Sequence, residues 1–134
     1  MQNEYFYDDY NELIREDNYL LNKTIKYNYD HLGNFLSNGI YELKSDSQIN
    51  RNIYEYKNEN WIDQLTKYNN DKIIYDKIGN PIKIGEDINM DWINGRQLNH
   101  YQNAYNDIYY KYNVYGTRNS KIVNNVETKY YYED

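Results

Sequence analysis

The chain has no cysteine, one proline, one alanine and six glycines among 134 residues. Without cysteine there is no disulfide, no thiolate metal site and no cysteine nucleophile. No apolar run approaches the ~18 residues that a membrane-crossing helix needs. No basic stretch followed by an apolar one trails Met1, so no signal peptide is visible. Basic residues are outnumbered, 15 against 21, for a net charge of -6. That balance argues against nucleic acid as a partner, since binding phosphate needs a basic face. Leu, Ile, Val and Phe together supply 28 residues. This is just above the ~20% share below which disorder becomes the default.

What is present instead is tyrosine, 20 residues, with 15 isoleucines and 23 asparagines. A tyrosine ring buries apolar area while its hydroxyl keeps a polar contact. The chain is therefore expected to fold around a core of Tyr and Ile. Both favour strands, the best helix former is nearly missing, and Asn and Gly favour turns. The fold class this implies is all-β. Period-two alternation supports it: Ile25, Tyr27 and Tyr29 share one face, as do Ile88, Met90 and Trp92, and Ile108, Tyr110 and Tyr112. Between Asn60 and Leu65 a short helical turn capped by Asn60 competes with an irregular reading. Leu98, Tyr101 and Tyr105 have helical spacing, but a hairpin turning near Asn103 to Asp107 is preferred.

One pattern recurs: an aromatic, a spacer, Tyr, Asp, two residues, Gly or Asn, then an apolar strand. Its copies carry Tyr5, Tyr7, Asp8 and Asn11; Tyr27, Tyr29, Asp30, Gly33 and Asn34; and Tyr75, Asp76, Gly79 and Asn80. A drifted copy carries Tyr110, Tyr112, Asn113, Gly116 and Arg118, and a weaker one runs from Tyr54 to Trp61. Anchoring aromatics stand at Tyr7, Tyr29, Tyr56, Tyr75, Trp92 and Tyr112, roughly one hairpin apart. Asp starts a type I turn by accepting backbone hydrogen bonds, and Gly or Asn supplies the positive φ that returns the chain. Asn94-Gly95 and Asn124-Asn125 add two more hairpin turns. The expected organisation is a single repeat region over 1–134. Its units lie near 5–18, 25–42, 52–68, 72–84, 88–101 and 108–122, with a loop at 43–50.

These residues resemble the RHS/YD-repeat family, in the manner of Gram-positive wall-associated members. Tyr75 to Pro81 looks like its Y-D-x-x-G-N-P, and Trp92, Gly95, Arg96 and Leu98 look like its W-x-x-G-R-x-L. Tyr110, Tyr112, Gly116 and Arg118 look like a further unit, and Asn11 to Glu16 like the segment that follows one. The resemblance covers essentially the whole chain. It implies tandem β-hairpins wound into a curved, spiral antiparallel sheet, a piece of β-shell just upstream of the RHS core. In large members such a shell encloses a C-terminal toxin, in interbacterial competition among other settings. The partners implied are adjoining RHS repeats, the RHS core and an encapsulated toxin domain, with no nucleic acid and no membrane. The location implied is secreted or at the cell surface as part of a parent protein, or cytoplasmic if expressed alone.

No catalytic, cofactor-binding or metal-binding residue is expected. The Tyr-Asp pairs read as turn starters beside core aromatics. Asp87 to Asp91 mimics the start of a calcium loop, but Trp92 and Leu98 stand where that loop needs Gly and Glu. His31 and His100 lie in different repeats without partner spacing. Arg96 and Arg118 follow turn glycines and suit carboxylates or tyrosine rings. Trp61 and Trp92 read as core anchors. The alternative function is an aromatic-repeat module binding cell-wall glycan, with exposed tyrosines stacked on sugars.

Overall fold

A computed structural model describes residues 2–132. It contains thirteen strands and, among the described residues, no helix. The chain divides into two compact units, Met1–Asn69 and Asn70–Asp134. The first holds β1 (Glu4–Tyr7), β2 (Leu13–Asn18), β3 (Lys23–Tyr29), β4 (Phe35–Glu42), β5 (Gln48–Glu55) and β6 (Lys67–Tyr68). The second holds β7 (Asp71–Tyr75), β8 (Pro81–Ile84), β9 (Ile88–Ile93), β10 (Gln97–Gln102), β11 (Asp107–Tyr112), β12 (Arg118–Val123) and β13 (Val126–Lys129). In each unit every strand pairs antiparallel with its neighbour in sequence, an up-and-down run of hairpins. The all-β hairpin fold is therefore present.

Local sequence explains the ladder. In β9, Ile88, Met90 and Trp92 are half-buried while Asn89, Asp91 and Ile93 are exposed. In β11 the same alternation sets Ile108, Tyr110 and Tyr112 against Asp107, Tyr109 and Lys111. The hairpin around Leu98 to Tyr105 forms as expected, turning at residues 103–106 between β10 and β11. Asn94 and Gly95 have φ of 47° and 85°, and Asn124 and Asn125 have 48° and 70°. Two consecutive positive φ values make the tight turn whose twist matches that of the strands.

Three expectations need correction. The polar stretch 43–50 is not all loop, because β5 begins at Gln48. Its strand character is paid from the pairing of Gln48 with Tyr41 and Asn50 with Ile40, not from its own apolar pattern. No helical turn forms at Asn60: Asn58 O accepts from Trp61 N and Trp61 O from Gln64 N, giving two successive turns. The capping side chain there is Asn58, whose Oδ1 accepts from Asn60 N at 3.1 Å. The core is the third. Among the described residues no hydrophobic side chain is buried, and those that are buried are Asp17, Thr24, Ser37, Asn80 and Ser120. Tyr and Ile line half-covered sheet faces rather than a closed interior.

Candidate functional site

The Tyr-Asp motif builds one turn four times, two in each unit. In the first copy Asp8 N donates to Glu12 O and Asn11 N to Asp8 O. Asp30, Asp76 and Asn113 repeat both bonds with Asn34 and Gly33, Asn80 and Gly79, and Thr117 and Gly116. In every copy the Asx Oδ1 accepts from the backbone N–H two and four residues on, at 2.8–3.0 Å. The fourth residue always has positive φ: Asn11 62°, Gly33 83°, Gly79 88° and Gly116 81°. This is a three-residue hairpin loop that closes with a bulge. The register shift falls just before the pairs Tyr7–Leu13, Tyr29–Phe35, Tyr75–Pro81 and Tyr112–Arg118. The tyrosine before each Asx is thus fixed at the mouth of its turn.

The fifth residue tunes the turn. Asn34 and Asn80 donate a side-chain N–H to the second carboxylate oxygen of Asp30 and Asp76, at 3.0 and 2.9 Å. Backbone donors, Asn80 first, hold the Asp76 carboxyl below its ordinary range. Burial works to raise Asp30, yet the bonds from Asn34 and Leu32 leave it lowered. The first copy has Glu12 instead, and burial followed by the neighbouring Asp8 pushes that carboxyl up. Charged Glu12 therefore opposes folding, a penalty absent below its unfolded pKa, growing as pH rises from there and complete above its folded pKa. Replacing Glu12 with Asn should raise the melting temperature at pH 7, with the gain shrinking toward pH 4. A thermal melt at both pH values reads this; no gain at pH 7 would show that the two carboxyls do not oppose one another.

A second device links successive hairpins, and it was not visible in the sequence. The residue facing one anchor gives its carbonyl to the anchor of the next hairpin. Tyr29 Oη donates to Leu13 O at 2.8 Å, Trp92 Nε1 to Pro81 O at 2.7 Å and Tyr112 Oη to Leu98 O at 2.7 Å. Tyr132 Oη donates to Arg118 O at 2.6 Å, which makes Tyr132 an anchor as well. Bulges interrupt the ladder, so a carbonyl beside one gains from a side-chain donor. Tyr112→Phe removes one such hydroxyl and should cost about 1 kcal/mol. Urea unfolding of the variant measures it; an unchanged midpoint would mean water replaces the bond without loss.

The motif residues do not converge on a reaction centre. Tyr5 and Tyr7 lie on the exposed strand β1, at 51% and 59% exposure. Tyr27 and Tyr29 meet Phe35, which meets Tyr54 and then Tyr68, a ring ladder with centroids 5.0–5.6 Å apart. Burial, then Glu16, pushes the Tyr27 hydroxyl up to about 12. Arg118 lies over the Tyr110 ring at 4.1 Å, and Arg96 donates to Ile78 O at 2.9 Å, tying adjacent turn tips. The third residue of each turn is apolar and exposed: Tyr10 86%, Leu32 51%, Ile78 48% and Tyr115 90%.

Of the two histidines, His31 lies in the second turn and His100 on β10. His100 stacks on Tyr109 at 4.1 Å and touches Asp107, with Asp91 3.8 Å from its other nitrogen. Among the described residues no set of His, Asp or Glu side chains is arranged to hold a metal ion. Trp92 is half-buried, and Trp61 is 44% exposed rather than a core anchor. Compared with known proteins, the sequence matches no family model and no curated protein.

Proposed function

We propose that this chain is a non-enzymatic, load-carrying segment of a YD-repeat β-shell, built into a large RHS-type toxin or surface protein. The observation that carries the reading is the serial latch: Tyr29, Trp92, Tyr112 and Tyr132 each tie to the residue that faces the anchor before it. Such a rule needs only nearest neighbours, so hairpins can be added without limit, as in other repeat architectures. Half-covered aromatic faces suit a wall whose inner surface meets an enclosed domain. Exposed apolar turn tips suit contact with an adjoining winding of the same wall.

Sequencing the DNA on both sides of the reading frame tests this. Further YD repeats upstream, with an RHS core and a variable domain downstream, are the expected result. Unrelated neighbouring genes would overturn it. A second reading, a glycan-binding module, draws on Tyr10, Tyr105 and Tyr115, which are 86–90% exposed. Co-sedimentation with purified cell walls, lost when those three tyrosines become Ala, would favour that reading instead.

A further inference from the structure

Ser120 has a buried hydroxyl with no hydrogen-bond partner and is 3% exposed. It lies on β12 directly opposite Lys111 of β11 and Lys129 of β13. Directly opposed residues point to one face of the sheet, so a lysine stands on either side of the serine. The row opens into a cleft of about 450 Å³ that Asn119, Glu127 and Tyr131 also line. Glu127 Oε1 stands 3.6 Å from Lys111 Nζ, and among the described residues no carboxylate pairs with Lys129.

The other unit supplies an internal control. Ser37 comes seven residues after its turn Asp30, as Ser120 comes seven after Asn113. It too is buried, at 2% exposure, and faces Asn28 across the ladder. Its oxygen is satisfied, accepting from Asn28 Nδ2 at 3.0 Å and Arg51 at 3.4 Å. At Ser120 the corresponding neighbour is a lysine turned to Glu127. What remains is a buried hydroxyl without an acceptor, in a row whose two neighbours are lysines, one of them turned to Glu127.

We infer that the Lys111–Ser120–Lys129 row is a binding site for an oxyanion of the phosphate class. The anion accepts the Ser120 O–H and lies between the two ammonium groups. Charge-assisted bonds of this kind are the strong ones, and an oxyanion would end the isolation of the Ser120 hydroxyl. Glu127 competes for Lys111 and limits affinity. The site does not depend on the shell reading and would exist in a free-standing module as well.

Titrating the 134-residue chain with inorganic phosphate at constant ionic strength, followed in amide ¹H–¹⁵N spectra, tests this. Saturable shifts clustered around residues 111, 120 and 129 are expected. Ser120→Ala should weaken binding about tenfold while leaving the melting temperature equal or higher, because it deletes an unpartnered group. Glu127→Gln should tighten binding, and Lys129→Met should abolish it. Shifts that do not saturate, or the same affinity in Ser120→Ala, would overturn the site. So would a fall in melting temperature for Ser120→Ala, since the hydroxyl would then already have a partner.

Discussion

Asp17→Ala is expected to destabilise the first unit by about 3 kcal/mol, the largest single loss in that unit. Asp17 and Thr24 are the two fully buried side chains there, both at 0% exposure. The Asp17 carboxylate takes two bonds from Arg15 at 2.9 Å and one from the Thr24 hydroxyl at 2.7 Å. The Thr24 oxygen in turn accepts from Lys44 N at 2.8 Å. One chain of bonds thus joins β2, β3 and the turn between β4 and β5. Removing the carboxylate strands the Thr24 donor and unpairs a guanidinium. Breaking a buried ion pair costs ~3–5 kcal/mol. Arg15 is 35% exposed and can turn toward water, which places the loss at the low end of that range. Urea unfolding followed by tyrosine fluorescence reads the effect. A loss below about 0.5 kcal/mol, the scale of an ordinary surface substitution, would rule out this polar seat as a main support.

The same residue sets an acid dependence. Burial works to raise the Asp17 carboxyl, but the bonds from Arg15 and Thr24 outweigh it and hold the group below its ordinary range. A carboxyl lowered on folding adds stability that is complete above its unfolded value, near pH 4. That stability is lost as pH falls through the folded value. The wild-type midpoint should therefore drop below about pH 4, and Asp17→Ala should drop less over the same interval. Parallel pH profiles would assign the acid loss to the turn carboxylates Asp30 and Asp76 instead.

How much of this was legible depended on the range of the cause. Strand faces and turns follow from neighbours in sequence, so Ile88 to Trp92 and Asp76 to Gly79 announce themselves. The latches do not, because a Tyr hydroxyl or the Trp92 ring N–H finds a carbonyl 11–16 residues away only once the register is set. The links made by Asn69 and Asn124 were equally hidden. Each returns a backbone N–H and a side-chain oxygen to the preceding hairpin, Asn69 to Ile53 and Asn124 to Asp107. The turn at Asn124 is legible, but in a chain with 23 asparagines nothing local marks either residue's link to the preceding hairpin. The core expectation failed for a different reason. Tyr and Ile do gather on one face, but a run of single hairpins supplies no second layer to cover it. Burial then falls to small polar side chains between strands. Nothing in the sequence sets Asp17 apart from the other acidic residues, and it is enclosed once its strand pairs it with Glu4 and Thr24.

In the second unit the largest loss is expected at Asn80, about 2 kcal/mol for Asn80→Ala. Asn80 is 3% exposed. Its side-chain N–H groups reach Asp76 Oδ2 at 2.9 Å and Gly95 O at 2.6 Å, so it closes its own turn and grips the next. Alanine keeps the backbone bonds of the turn but deprives both acceptors. Each lost bond is worth ~0.5–1.5 kcal/mol, and the Gly95 carbonyl can partly recover with water. Asn34 occupies the same seat in the first unit, with a longer reach of 3.3 Å to Ile62 O. Asn34→Ala should therefore cost about half as much. Asn80→Asp separates the hydrogen bond from the shape. It keeps the volume but sets a second carboxylate against Asp76, recreating the confrontation of Asp8 with Glu12. It should be worse than alanine at pH 7 and recover as the pH is lowered toward the carboxylate range. If Asn80→Asp matched wild type at pH 7, the amide bridge could not be what couples neighbouring hairpins, and the cost would lie in packing alone.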